Sequence, residues 1–273
     1  MNLWLAALTI VVSSALMIAA MLRLRRHAPE GGYFAENDRA AGIFTLLATA
    51  FSVLLGFMVF LAFSRYDDSR ASAQAEGLAV LQQYETAQLF PPHARVQLSG
   101  QLICYGRSVV ELEWPIMASN MNPPFNPWGI ALFQTLRTIE PRTASEKSAF
   151  DAWLSLNSRR EEERRTRLHG GEGRLPLPVW IVLFGSAILI LLYTLFFADS
   201  REPALVQALI AGSVTAVLIA TLLLLAILNR PYQQNIGGLD PVAMEHTLDI
   251  IDQLRATTGI DEPPPCDGAG RPL

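Results

Sequence analysis

The chain has 273 residues, of which 51% are apolar and 17% are charged, with a net charge of −4 at pH 7. Soluble domains carry charge at about a quarter of their positions, so this composition is poor in charge for a soluble protein. The charged residues do not form a basic stripe interleaved with aromatic side chains, and nucleic acid is therefore not an expected partner. The composition favours a chain that lies largely in a lipid bilayer.

Four apolar segments are long enough, at about 18 residues or more, to cross a bilayer as helices. They cover residues 3–22, 41–63, 177–197 and 204–228. The first is followed, not preceded, by Arg23, Arg25 and Arg26, an order that favours an uncleaved anchor over a cleavable signal peptide. The sequence predicts an all-α integral membrane protein with four transmembrane helices.

The second apolar segment continues into a polar helical sequence. After Phe63 the chain passes through residues 65–68 into an Ala-, Gln- and Glu-rich stretch that contains no proline before Pro91. We expect one long helix that leaves the membrane and ends near Gln88. Its apolar stripe, expected to pack on other extramembrane helices, consists of Ala71, Ala75, Leu78 and Leu81, with Glu76 off the stripe.

Five regions follow from this pattern. They are residues 1–63 (spans 1 and 2), 64–176 (helical extramembrane region), 177–228 (hairpin of spans 3 and 4), 229–261 (C-terminal amphipathic helix segment) and 262–273 (tail). The C-terminal helix is predicted over residues 241–258, with Gly259 as its stop. The tail contains three consecutive prolines, a composition typical of disorder.

The extramembrane region contains further helix signals. An amphipathic helix is predicted from His93 until Trp114-Pro115, since the residue before a proline is driven from helical geometry. Pro127 suits the first turn of a short helix. Thr143 and Glu146 have the spacing of a capping box and open a helix that reaches about His169, where glycines follow.

That last helix carries alternating charges over residues 159–165. Glu161 with Arg165, and Glu163 with Arg167, have the i,i+4 spacing of surface ion pairs. The segment is interpreted as a solvated helix face with ion pairs, and the alternative is a charged docking surface.

Arginine in the short loops predicts the orientation of the chain. Residues 23–40 contain Arg23, Arg25, Arg26 and Arg39, and the loop 198–203 contains Arg201. In a four-span protein both loops lie on the same side of the membrane. The positive-inside rule places that side in the cytoplasm. The termini and the large extramembrane region are then expected on the non-cytoplasmic side.

Small residues recur every four positions in two spans, where they permit close helix packing in lipid. The stripes are Ala48, Ser52 and Gly56 in the second span and Ala208, Gly212, Ala216 and Ala220 in the fourth. They predict a tight bundle or a homo-oligomer.

The candidate pore or packing residues are Thr45, Thr49, Ser52 and Gly56, since hydroxyls and apolar side chains are compatible with a channel for small ions. The cores of the spans contain no Asp, Glu, Lys, Arg or His, which argues against an ion-coupled transporter.

Enzyme signatures are missing from the sequence: there is no Walker loop, GxGxxG, GxSxG or HExxH motif. No catalytic residue, cofactor or metal site is therefore predicted, and an enzyme is not expected. Glu245, His246 and Asp249 could form a metal or acid–base site, but a solvated helix face is favoured.

Two further features leave alternatives open. Asp67, Asp68 and Glu76 could attract cations near the membrane, although such residues more often cap or solvate a helix. Cys104 and Cys266 are the two cysteines of the chain, and they are either a disulfide or, as favoured, two unrelated thiols.

Several short motifs together resemble the bacterial DUF4239 family, also labelled bestrophin-like domain. In chain order they are Leu54-Leu-Gly-Phe57, Arg65-Tyr-Asp-Asp68, Glu76, Tyr105 with Val109-Val110, Glu111-Leu-Glu-Trp-Pro115, Arg165-Thr-Arg-Leu168, Leu175-Pro176 and Asn229-Arg-Pro-Tyr232. The resemblance spans roughly residues 41–251. Its family-motif candidates are Tyr66, Asp67, Asp68, Glu76, Tyr105, Glu113, Trp114, Pro115, Arg230 and Pro231.

The resemblance implies a four-span helical subunit in a bacterial inner membrane, assembled as an oligomer around a pore for small ions, anions among them. The leading hypothesis is therefore an oligomeric channel-like protein in which the second span lines the pathway. The alternative is a non-conducting scaffold or sensor whose extramembrane helices bind a partner. The expected partners are the lipid bilayer and further copies of the chain.

Overall fold

The computed structural model describes residues 2–34, 36–119, 121, 123–172, 175–233, 237–258 and 262–273. The predicted helix stop at Gly259 lies outside this part of the chain. The chain divides into a membrane unit (Met1–Ser64, Arg174–Arg230 and Asn235–Gly237) and an extramembrane unit (Arg65–Gly173, Pro231–Gln234 and Gly238–Leu273).

Helices make up nearly all of the regular structure in the described residues. They are α1 (Leu3–Arg25), α2 (Asn37–Ala87), α3 (Pro92–Ser108), a π-helical turn (Val109–Glu113), α4 (Trp114–Ala118), α5 (Pro127–Leu136), α6 (Ala144–Glu172), α7 (Leu177–Phe196), α8 (Ala204–Leu228) and α9 (Val242–Thr258). Four of them, α1, α2, α7 and α8, are long and apolar enough to cross a membrane, so the prediction of a four-span all-α membrane protein is confirmed.

Two apolar contacts hold the helices of the membrane unit together. Phe51 and Leu55 of α2 pack with Leu183 of α7 and Leu218 of α8 in one cluster. In the other contact, α1 packs on α8 where Gly212 leaves room: a Cβ atom at Gly212 would lie 2.9 Å from Cδ1 of Ile18. Gly212, one member of the small-residue stripe of α8, therefore serves helix packing within the chain.

The two arginine-bearing loops of the membrane unit contact each other. Arg25 donates hydrogen bonds from Nε and Nη2 to the carbonyl oxygen of Glu202, at 3.1 and 2.6 Å. Arg201 forms an ion pair with Glu30 at 2.7 Å. Both loops therefore lie at the same end of the unit, as the sequence predicted.

Helix α2 contains 51 residues without interruption, which confirms the predicted continuity beyond the apolar segment. At 1.5 Å per residue it is about 76 Å long. The predicted stripe of its extension is wrong. Leu78 is 45% exposed while Glu76 is 1% exposed, and the buried apolar side chains are instead Ala79, Val80 and Tyr84.

The sequence predicted that the helical run beginning at α3 would end at Trp114-Pro115, but the run continues past this point. The π-helical turn Val109–Glu113 leads directly into α4, with Pro115 in the first turn of α4. The run stays helical although Pro115 has no N–H to donate: the N–H of Trp114 before it bonds to the carbonyl oxygen of Val109, five residues back, as in a π-helix. The apolar periodicity of α3 is confirmed, since Leu98, Leu102 and Val109 are buried.

The two predicted helix starts in this region are confirmed. The side chain of Asn126 accepts a hydrogen bond from the backbone N–H of Trp128 at the start of α5. Thr143 and Glu146 form the reciprocal capping box, with Glu146 N–H donating to Thr143 Oγ1 at 3.1 Å and Thr143 N–H donating to Glu146 Oε2 at 3.3 Å. Helix α6 continues through Gly170, beyond its predicted end.

The C-terminal region closes the extramembrane unit. Met244 and Ile251 of α9 are buried, as predicted for its apolar face. Residues 262–273 take up a defined conformation, whereas their composition predicted disorder. Cys266 forms a disulfide with Cys104, and the indole N–H of Trp128 donates to the carbonyl oxygen of Gly270 at 2.6 Å. These long-range bonds hold the tail against α3 and α5.

Candidate functional site

Four of the sequence-predicted site residues meet inside the extramembrane unit. Glu76 comes from α2, Tyr105 from α3, Glu113 from the π-helical turn and Trp114 from the start of α4. All four side chains are buried. The residue that joins them is Arg167 of α6, which is fully buried and which the sequence did not single out as a site residue.

Arg167 bridges the two buried carboxylates. Its Nε donates to Oε2 of Glu76 at 2.5 Å, and its Nη2 donates both to Oε1 of Glu76 at 3.1 Å and to Oε2 of Glu113 at 2.7 Å. Its guanidinium group lies 5.5 Å from the centre of the Trp114 ring. Charge-assisted hydrogen bonds of this kind are the strongest that side chains make.

The remaining oxygens of the two carboxylates have further donors. Arg164 donates Nε and Nη2 to Oε1 of Glu113, at 3.2 and 3.0 Å, and Asn126 Nδ2 donates to the same oxygen at 2.8 Å. The hydroxyl of Tyr105 donates to Oε1 of Glu76 at 2.6 Å. Every oxygen of the two carboxylates therefore accepts at least one hydrogen bond, which offsets the cost of removing them from water.

A third arginine of α6 covers the ring of Tyr105. The guanidinium carbon of Arg160 lies 4.7 Å from the ring centre, and Arg160 donates to Oε1 of Gln83 at 3.1 Å and to Oε1 of Glu161 at 2.7 Å. Arg160, Arg164 and Arg167 recur every three or four residues, so they share one face of α6.

These contacts contradict the predicted surface ion pairs. Glu161 pairs with Arg160 instead of Arg165, and Arg167 pairs with Glu76 and Glu113 instead of Glu163. The interpretation of this stretch as a solvated face was therefore wrong for its buried arginines. The sequence signal for their burial is their spacing, which puts three arginines on one face of α6. If that face packs against the core, the three charges need buried partners.

Burial alone would raise the pKa of Glu113, but Arg167 and Arg164 outweigh it and hold that pKa below its usual value. Burial likewise opposes the charge of Arg167, yet Glu76 and Glu113 more than compensate and raise the pKa of Arg167. Burial, followed by the charge of Glu76, raises the pKa of Tyr105 well above its usual value. At neutral pH Glu113 and Arg167 are therefore charged, and the phenol of Tyr105 is protonated.

Aromatic contacts tie the C-terminal part of the unit to this cluster. The indole N–H of Trp114 donates to the carbonyl oxygen of Leu239 at 2.9 Å, and its ring packs edge to face with Tyr232 at 5.3 Å. Burial raises the pKa of Tyr232 to about 12. These contacts link Trp114 of α4 to Tyr232 and Leu239 within the extramembrane unit.

The other family-motif candidates do not join the cluster. Asp67, Asp68, Pro115 and Arg230 are exposed, and Tyr66 is half-buried. Pro231 is buried next to Tyr232. The hypothesis that Glu76 attracts cations near the membrane is contradicted by its burial against Arg167. Glu245, His246 and Asp249 are exposed on α9, and among the described residues no group of three or more His, Cys, Asp or Glu could hold a metal ion.

The candidate pore or packing residues lie on an exposed face of α2. Ser52 and Gly56 line an apolar groove of about 520 Å³ between α2 and α8, together with Ala48. Thr45 and Thr49 are exposed on the same helix but do not line the groove. Gly56 has no atom within 4 Å of the position that a Cβ would take. This stripe therefore stays uncovered within a single chain.

The fold defines a helical integral membrane protein with a polar cluster buried in its extramembrane helices. The sequence model of the family described as bestrophin-like domain matches residues 6–237, which is most of the chain. The chain therefore belongs to the bestrophin-like family, as the motifs indicated. No curated protein matches it by sequence.

Solved structures share the fold at low sequence identity. Two mutated forms of a bacterial bestrophin homologue from Klebsiella pneumoniae align with TM-scores of 0.69 and 0.66 and identities of 12% and 13%. The alignments cover 92% and 89% of this chain and 99% and 98% of theirs. A mutant structure described as a membrane protein aligns at 0.65 and 14% identity, covering 92% of this chain and 98% of the other.

Replacing the central arginine tests the role of the cluster. We expect Arg167→Met to lower the free energy of unfolding by about 3–5 kcal/mol, because it leaves two buried carboxylates without their shared counter-ion. Thermal unfolding followed by tryptophan fluorescence in detergent micelles measures the effect. Arg159→Met, at an exposed arginine of the same helix, is the control and should change stability by less than about 0.5 kcal/mol. Equal losses in the two variants would contradict the assignment.

The lowered pKa of Glu113 predicts an acid sensitivity. Because that pKa is lower in the folded protein than in the unfolded chain, its contribution is complete above about pH 4.3 and is lost as the pH falls further. Glu113→Gln should therefore show a shallower fall of the unfolding midpoint between neutral and acidic pH than the unmodified protein. Glu111→Gln, at an exposed position of the same turn, should keep the original slope. Identical slopes for all three proteins would refute the prediction.

Proposed function

We propose that the protein is an oligomeric, channel-like membrane protein that conducts small ions, anions among them, through a pathway lined by α2. The observation that carries the proposal is a stripe of exposed residues along this helix. Its members are Thr45, Thr49, Ser52, Gly56, Phe60 and Phe63, spaced three or four apart. Membership of the bestrophin-like family supports it, and so does the fold shared with the Klebsiella homologue.

The chemistry of the stripe suits a pore. The hydroxyls of Thr45 and Ser52 donate to backbone carbonyls of their own helix, at 2.9 and 2.8 Å, so they can face water or apolar surroundings without losing a partner. Phe60 and Phe63 are 65% and 54% exposed. Apolar constrictions of this kind gate channels by excluding water. Copies of the chain arranged around an axis would enclose such a path and cover the exposed stripe.

We also propose that the extramembrane unit and both termini lie on the non-cytoplasmic side of a bacterial inner membrane. Arginine in the two contacting loops supports this orientation. The disulfide between Cys104 and Cys266 supports it independently, because such bonds persist in oxidising compartments and are rare in the cytosol.

Thiol modification tests conduction. The two native cysteines are paired with each other, so Thr49→Cys introduces the single reactive thiol. We expect purified protein in liposomes to conduct chloride or potassium, and a methanethiosulfonate reagent to block most of the flux of Thr49→Cys. Ile188→Cys, at an exposed position of α7, should be unaffected. A monomer in native mass spectrometry that passes no ions would refute the channel and favour the scaffold or sensor.

Accessibility of a thiol tests the orientation. Ser158 is exposed on α6 in the extramembrane unit, so Ser158→Cys should react with an impermeant maleimide in intact spheroplasts. Glu202→Cys, in the loop between α7 and α8, should react only after the membrane is permeabilised. The reverse labelling pattern would show that the extramembrane unit faces the cytoplasm.

A further inference from the structure

A second cavity lies in the extramembrane unit, beside the buried cluster. Its volume is about 260 Å³, and its walls come from α5, the segment before it, and α6. The two carboxylates of the cluster need no additional donor, because each of their oxygens already accepts a hydrogen bond from a side chain of the protein. The cavity is therefore a feature that the cluster does not explain.

One side of the cavity is apolar and open to solvent. Phe125, Ile130 and Phe133 line it and are 65%, 48% and 49% exposed. The opposite face of α5 is packed in the core, with Leu132 fully buried and Leu136 nearly so. Helix α5 thus presents apolar side chains on both faces, and exposed apolar patches at a concavity are typical of binding sites.

The other side of the cavity carries guanidinium N–H groups that have no hydrogen-bond partner among the described residues. Arg164 uses Nε and Nη2 for Glu113, and its Nη1 makes no hydrogen bond to any described residue. Arg165 is exposed at the cavity and forms no ion pair within the described part of the chain. Glu161 also lines the wall, but Arg160 already pairs with its carboxylate at 2.7 Å. Two guanidinium groups therefore offer donors that no protein carboxylate takes up.

The absence of a side chain at Gly129 leaves open part of the space between α5 and α6. A Cβ atom there would lie 3.2 Å from Oε1 of Glu161, within the space that α5 and α6 enclose. The cavity therefore combines apolar side chains on one wall with the guanidinium groups of Arg164 and Arg165 on another. That combination fits an anion with a compact apolar body, since a carboxylate accepts from guanidinium groups while the body covers the aromatic rings.

We propose that this cavity binds a small organic monocarboxylate with an apolar or aromatic body, with Arg164 and Arg165 as the donors and Phe125, Ile130 and Phe133 as the apolar contacts. The site lies outside the pathway proposed for ions and does not depend on conduction. A ligand seated there would contact α5 and α6 and the neighbours of the buried cluster.

Fluorine NMR of the full-length protein in lipid nanodiscs tests the proposal, with 4-fluorobenzoate as the probe. We expect saturable broadening of its signal, and weak or no binding of 4-fluorobenzamide, which has the same body without the charge. Arg165→Gln should weaken binding of 4-fluorobenzoate roughly tenfold, because a charge-assisted contact is lost. Phe133→Ala should weaken it as well.

Arg159→Gln is the matched control, since it removes the same charge from an exposed position of α6 away from the cavity. It should leave the affinity for 4-fluorobenzoate unchanged. The proposal is overturned if the probe does not bind, if the neutral amide binds equally well, or if Arg159→Gln and Arg165→Gln weaken binding to the same extent. Because the readout is binding alone, a protein that conducts no ions can still confirm this site.

Discussion

The extramembrane unit depends on one buried arginine held between two buried carboxylates. Arg167 takes its partners from α2 and from the π-helical turn, so a single side chain fixes three segments that are far apart in sequence. A buried charge is expensive unless it is fully paired, and here every carboxylate oxygen has a donor. Such a cluster defines one arrangement of helices, since any other packing would strand a charge away from water.

The membrane unit follows a different rule. The apolar cores of its helices contain no Asp, Glu, Lys, Arg or His, and the helices associate through small residues and apolar contacts, as at Gly212 and Ile18. Within one chain the α8 stripe is used, while Ser52 and Gly56 of α2 stay open. Close van der Waals packing therefore organises the spans, and buried ionic contacts organise the helices outside them.

Local sequence rules predicted whatever depends on neighbouring residues. Apolar length gave the four spans, and the capping box at Thr143 and Glu146 gave the start of α6. The rules failed where the partner lies far along the chain. Arg167 was paired with its neighbour Glu163, but its partner Glu76 lies 91 positions away. The tail was judged by composition, although its order comes from Cys104, 162 positions earlier. Glu76 is buried and Leu78 is exposed, although apolar side chains are normally the buried ones. The reason is again a distant partner, since Glu76 is paired with Arg167.

The orientation of Glu113 and Trp114 depends on how many residues form the π-helical turn between Ser108 and Trp114, more than on which residues these are. Each residue of a helix turns the chain by about 100°, so the phase of Glu113 and Trp114 is set by how many residues precede them. Deleting one residue from Val109–Glu113 would swing both side chains away from Arg167, even if every remaining side chain were suitable. Related chains are therefore expected to vary in residue type here while keeping the number of residues constant.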